Sequence, residues 1–224
     1  VQMLEKTPNG FALTFGKGER IEGKTVIIAT GSSKRKLGAI GETEFSGKGV
    51  TYCATCDAFF YRGKDVAVIG GGDSAVEGAA IAAQVARMVY LVHRRDSFRA
   101  EPYWVEKVKE KKNVVFVLER NLLEIKGDQR VRSIRLDKEF EGKMEIPVDG
   151  VFIEIGSNPA SELGKSLGCT TDVQGFLTVD RGQQTTVPGI FAAGDVTDAS
   201  NHFAQFTTAA GEASVAVNSV FHYL

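Results

Sequence analysis

The run Val66-Ala67-Val68-Ile69-Gly70-Gly71-Gly72-Asp73-Ser74-Ala75 constrains the fold more than any other part of the chain. Its uninterrupted apolar start suits a strand buried on both faces, and the glycines suit a turn too tight for side chains. Alanines at 75, 79, 80, 82, 83 and 86 then predict a helix over 74–86, slim enough to lie close against a sheet. Met88–Val92 reads as a second strand and Asn113–Leu118 as a third. Between them Glu101–Lys112 is amphipathic, with Tyr103, Trp104 and Val108 expected inward and Lys107, Lys109 and Lys111 outward. Strand and helix in alternation give an α/β, doubly wound parallel sheet. Leu122–Ile125 and Val131–Leu136, around Gly127-Asp128, read as an antiparallel ribbon.

The flanks have a different texture. Phe11–Phe15 alternates like a strand, and Lys24–Gly31 is an apolar strand ending in a glycine turn. Val151–Ile155, Phe176–Val179 and the stretch 186–195 read as short strands, and Phe206–Tyr223 as a closing helix. Residues 1–38 and 151–224 are therefore expected to form one domain, with 39–150 inserted between them.

With 43% hydrophobic and 25% charged residues, the 224-residue chain has the make-up of a globule. A net charge of −1 gives no electrostatic case for nucleic acid or an anionic membrane. No apolar run is long enough for a membrane span, and the first residues do not resemble a signal peptide. Three cysteines are too few for a secreted disulfide scaffold, so the expected location is cytoplasmic.

Three motifs carry chemistry. Gly70-x-Gly72-x-x-Ala75, between strand and helix, is placed to bring backbone N–H groups and a helix N-terminus to a pyrophosphate. Where an NAD reader would have an acid, at the end of the next strand, this chain has His93-Arg94-Arg95, with Arg99 beyond. Guanidinium groups pair with a 2′-phosphate, so NADPH is expected over NADH. Cys53-x-x-Cys56 lies 14 residues before Gly70. Zinc would need further ligands, and Cys169 and the three histidines (His93, His202, His222) have no matching spacing, so no metal is expected. The pair reads instead as a redox dithiol, with Asp57 placed to hold or deliver its proton. A disulfide accepts hydride poorly, so a nicotinamide and a dithiol together call for a flavin between them. Gly194-Asp195 and the start of the last helix, Gln205–Ala210, are candidates to hold it.

Taken together these motifs resemble the low-molecular-weight thioredoxin reductases. The matching strings are Cys-Ala-Thr-Cys-Asp57, Phe59-Phe-Tyr-Arg62, Val-Ile-Gly-Gly-Gly-Asp-Ser-Ala-Val-Glu77, His-Arg-Arg-Asp-x-Phe-Arg-Ala100, Gly-Ile-Phe-Ala-Ala-Gly-Asp195 and Thr-Ala-Ala-Gly211. The resemblance implies a homodimeric flavoprotein with two dinucleotide-binding domains, an NADPH domain inserted into an FAD domain, that reduces a thioredoxin-like protein. It implies that Cys56 faces the flavin, Cys53 attacks the protein substrate and Asp57 handles protons. NADPH contacts map onto Gly70, Gly72, Asp73, Ser74, Ala75, His93, Arg94, Arg95, Arg99 and Ile155. FAD contacts map onto Thr30, Gly31, Gly194, Asp195, Ala204, Gln205 and Phe206. Hinges between the domains map onto Ser32–Lys36 and the Asp149-Gly150 region. This chain departs from the pattern at Ala204, where the family has arginine, and at Ile40, where it has proline. The family's N-terminal segment, with its own glycine motif for the ADP half of FAD, precedes the region matched here, so the FAD domain is expected to be partial. A glutaredoxin- or peroxidase-type partner, or a catalytically incomplete NADPH-binding fragment, are the alternatives.

Overall fold

A computed structural model describes residues 1–224, and the chain divides into two compact units, 34–156 and 1–33 with 157–224. In the first, five parallel strands lie in the order Val50–Thr51, Gly150–Ile153, Asp65–Ile69, Met88–His93, Val114–Leu118. Both faces of this sheet are covered, as an all-parallel sheet requires. On one face the helices Asp73–Ala82 and Pro102–Lys109 pack on Val66, Val68, Leu91 and Phe152. On the other, Ala67, Ile69, Val92 and Val151 meet Ile125, Ile134 and Leu136 from a three-stranded antiparallel sheet, Leu122–Gly127, Val131–Phe140 and Lys143–Pro147. Most of these side chains are wholly buried, each worth about 1.5–3 kcal/mol.

Four expectations need correcting. Residues 34–38 and 151–156 belong to the inserted unit, not to the flanking one: Gly150–Ile153 pairs in parallel with Asp65–Ile69 and sits inside the five-stranded sheet. For the same reason Asp149-Gly150 is not a connection between units. Asp149 is tied to Asp65 by two hydrogen bonds, and the chain leaves this unit after Gly156. Tyr103 points outward, because the inward stripe of its helix runs through Trp104, Val105 and Val108. Phe176–Val179 forms only isolated bridges, since its hydrogen bonds go to separate loop positions such as Thr170 and Val196.

The second unit has an antiparallel sheet, Met3–Thr7, Gly10–Thr14 and Arg20–Gly23, and a parallel pair, Val26–Ile28 with Ile190–Ala192. Its core gathers Leu4, Phe11, Val26, Ile28, Leu177 and Ile190. The last helix, Phe206–Tyr223, rests on Phe191 and Ala193 through Ala216. No helix of the chain is long and apolar enough to cross a membrane.

Candidate functional site

The glycine turn is built by contacts that leave no room for side chains. Gly70 has φ +149, and a Cβ there would lie 2.3 Å from the Glu154 carbonyl oxygen and 2.7 Å from the Ala75 Cβ. A Cβ on Gly71 would lie 2.2 Å from the His93 ring. Gly72 differs: a Cβ there meets nothing within 4 Å, so this glycine borders open space. The helix beginning at Asp73 has no side-chain cap, so its first turn is free to face an anion, with Ser74 exposed beside it. The expected NADPH contacts are therefore not equivalent. Asp73 is engaged, its Oδ1 accepting from the Glu101 N–H at 2.7 Å. Ala75 is buried, its methyl group allowing close packing, and Ile155 packs against the antiparallel-sheet side of the core.

His93 points inward, against the expectation that it would face the nucleotide. It is buried beneath Gly71 and stacks on Phe98 at 5.5 Å between centroids, with Nε2 unpartnered. Burial lowers its pKa, and Arg95, Arg94 and Arg99 push it the same way, against a backbone hydrogen bond at Ser97. Its ring fills the space beneath the Gly71 turn. The positive charge lies on Arg94, Arg95 and Arg99, which are exposed and enter no ion pair. The Arg99 N–H donates to the Gly71 carbonyl at 2.8 Å, which fixes this basic loop against the glycine turn.

Cys53 and Cys56 are joined in a disulfide across the short helix Ala54–Asp57, their Cα atoms 5.3 Å apart. Cys53 caps that helix, accepting from the Cys56 N–H at 3.2 Å; Cys53 is half-buried and Cys56 exposed. Thr51 links the expected acid to the cysteines. Its hydroxyl donates to Asp57 Oδ2, and its oxygen accepts weakly from the Cys53 N–H at 3.4 Å. Glu154 closes the arrangement, its Oε1 accepting from the Ala54 N–H at 2.7 Å. The disulfide helix in turn touches the helix Asp73–Ala82, since a Cβ on Gly78 would lie 2.9 Å from the Ala54 Cβ. Beyond Asp57, Phe59 and Phe60 are 67% and 73% exposed. A groove of about 490 Å³ runs from Thr51, Asp57 and Phe60 to Lys48, Arg130 and Arg132.

In the other unit, the parallel pairing sets the carboxyl ends of Val26–Ile28 and Ile190–Ala192 side by side, where glycines turn the chain at Gly31 (φ +69) and Gly194 (φ +78). Thr30, two residues beyond the first of these strands, donates from Oγ1 to the Ala160 carbonyl at 2.6 Å. Glu212, buried, braces the second turn: it accepts from the Gly194 N–H at 2.7 Å, the Thr197 hydroxyl at 3.2 Å and the Ser200 hydroxyl at 2.6 Å. Asp195 is half-buried beside it. The last helix opens at Gln205, whose N–H donates to Thr208 Oγ1, with Ala204 and Phe206 exposed.

Thr51, Glu154 and Glu212 are absent from the sequence reading. Only Thr51, within a few residues of the cysteine pair, had a local signal.

Residues 2–213 match the family model described as pyridine nucleotide-disulphide oxidoreductase. A thioredoxin reductase of Helicobacter pylori is 40% identical over 232 residues, covering 100% of this chain and 73% of that protein. One from Listeria innocua is 42% identical over 203 residues, covering 90% of this chain and 63% of its own length. The crystal structure of thioredoxin reductase from Streptococcus pyogenes superposes with a TM-score of 0.82 at 38% identity, over 99% of this chain and 72% of that one. The chain thus spans between about three fifths and three quarters of the length of these relatives.

Proposed function

The chain belongs to the thioredoxin reductases of the pyridine nucleotide-disulphide oxidoreductase family, and from that premise we propose that it passes electrons from NADPH through a flavin to Cys53–Cys56 and on to a thioredoxin-like protein. One observation carries the reading: the disulfide helix and the open glycine turn are packed on each other in one unit, through Ala54, Gly78 and Glu154.

Gly72, Ser74 and the uncapped helix start would receive the pyrophosphate, and Arg94, Arg95 and Arg99 the 2′-phosphate. The other unit suits the flavin half of FAD. Two glycine turns stand at the carboxyl ends of adjacent parallel strands, the kind of place at which a dinucleotide site forms, and Glu212 holds one of them. Thr30, Gly31, Gly194, Asp195, Ala204, Gln205 and Phe206 would line it. A flavin held there supplies a hydride acceptor able to deliver two electrons to sulfur.

Once Cys53–Cys56 is reduced, one thiolate attacks the partner's disulfide and forms a mixed disulfide. The other thiolate resolves it, so Cys53–Cys56 is re-formed and the partner leaves as a dithiol. We assign the attack on the partner to Cys53 and the flavin-facing role to Cys56. Asp57, held by Thr51, takes up or returns the proton. The exposed Phe59 and Phe60, next to the basic groove, suit a partner that presents an apolar rim with acidic residues around its own disulfide. Such a relay belongs in a reducing compartment, the cytoplasm.

The test is NADPH oxidation coupled to thioredoxin disulfide reduction by the purified protein. The expected result is turnover with NADPH and much slower turnover with NADH. NADPH binding without any thiol production would reduce the chain to a nucleotide-binding module.

A further inference from the structure

We propose that Glu154 is a positioning residue that sets the redox balance of the Cys53–Cys56 pair, holding the first amide of the disulfide helix while placing negative charge beside it. The inference rests on the dithiol reading above and extends it to a residue one hundred positions away in sequence.

Geometry is the first support. Glu154 follows the strand Gly150–Ile153, and its own carbonyl oxygen fills the space a Gly70 side chain would need. Its carboxylate turns the other way and accepts from the Ala54 N–H at 2.7 Å. Ala54 is wholly buried and directly follows Cys53. One residue therefore contacts both the nucleotide turn and the disulfide helix, at the point where Gly78 lets the two helices touch.

Charge is the second. Amides at the start of a helix stabilise a cysteine thiolate there, and a neighbouring carboxylate opposes it. Reduction of Cys53–Cys56 takes two electrons and two protons and breaks the one S–S bond; dithiothreitol supplies both when it closes to its cyclic disulfide. At neutral pH a thiol then loses its proton, and that step feels Glu154. The other charged groups near this carboxylate are Lys34, which favours its ionised form, and Glu77, which opposes it. Asp57 is the acid on the disulfide helix itself, and Tyr61 lies within its field. Burial raises the Glu154 pKa, with the Ala54 N–H acting against it, so its charge fades earlier in acid than that of an exposed glutamate.

Glu154→Gln keeps an acceptor for the Ala54 N–H and removes the charge. In equilibrium with dithiothreitol at pH 8, the variant should hold roughly tenfold more of the dithiol relative to the disulfide than wild type, and alkylation by iodoacetamide should begin at lower pH. The two proteins should converge as pH falls and Glu154 takes up its proton. Glu154→Ala should shift the redox balance the same way and also lower the melting temperature, because the Ala54 N–H loses its partner. An unchanged balance and an unchanged alkylation profile in Glu154→Gln would overturn the inference alone. A wild-type disulfide that resists dithiothreitol would overturn it together with the dithiol reading.

Discussion

The two units bury their parallel strands to different degrees within the residues of this chain. In residues 34–156 a five-stranded parallel sheet is covered on both faces, and its interior strands are almost wholly buried. In the other unit the parallel sheet is two strands wide; Ile27 in it is 36% exposed, and Phe206 and Phe221 on the last helix are 90% and 77% exposed. Parallel strands gain their stability from burial on both sides. The glycine turn at Gly70 and the disulfide thus stand on a core covered on both faces, whereas the turns at Gly31 and Gly194 stand on the two-stranded pair and are tied from the side, Gly31 through the Ala160 N–H and Gly194 through Glu212.

The sharpest way to break that contrast lies in the glycine turn. Gly70→Ala forces a Cβ into the Glu154 carbonyl at φ +149, so we expect a loss of about 3 kcal/mol or more in urea unfolding. Gly72→Ala meets open space and should cost under about 1 kcal/mol, yet weaken NADPH binding about tenfold or more by narrowing the approach to the helix amides. Equal stability losses in the two variants would remove the assignment of one glycine to packing and the other to ligand. Next in size, Arg94→Ala with Arg95→Ala should raise the NADPH KM by roughly 10–100-fold and leave that for NADH nearly unchanged. Parallel changes for both nucleotides would end the 2′-phosphate argument.

Hydrogen exchange addresses the units directly. Amides of Val66–Ile69 should exchange at least about tenfold more slowly than those of Val26–Ile28, since opening the five-stranded sheet approaches global unfolding. Comparable protection would mean that the narrower sheet is as well supported as the wider one.

The smallest effect is the pH response of His93. Because burial lowers its pKa in the folded protein, the unfolded chain takes up the proton first as pH falls below about 6.5. Its contribution to stability is thus complete above that pH and is lost toward the folded pKa. Urea midpoints at pH 7.5 and 5.5 should differ less in His93→Gln than in wild type. An unaltered difference would place the slope elsewhere.

What the sequence revealed follows from how far each signal reaches along the chain. The apolar run before Gly70 and the glycines after it specify strand, turn and helix within a few residues, and the Cys53–Cys56 spacing specifies a short loop. The membership of Gly150–Ile153 in the central sheet depends on pairing with Asp65–Ile69 some 85 positions earlier, and no local pattern separates it from a strand of the flanking unit. Glu154 and Glu212 resemble ordinary surface acids until folding brings Ala54 and Gly194 to them. His93 stood in a basic string and shared its expected role, but its ring fills the hollow beneath Gly71 and leaves the charge to its neighbours.

The central claim, that electrons from NADPH arrive at Cys53–Cys56, is tested most directly by counting thiols after anaerobic addition of NADPH to the purified protein, with Cys56→Ser as control. The account predicts two new thiols per chain in wild type and none generated in the variant. No new thiols in wild type, with NADPH bound and the disulfide still reducible by dithiothreitol, would contradict it.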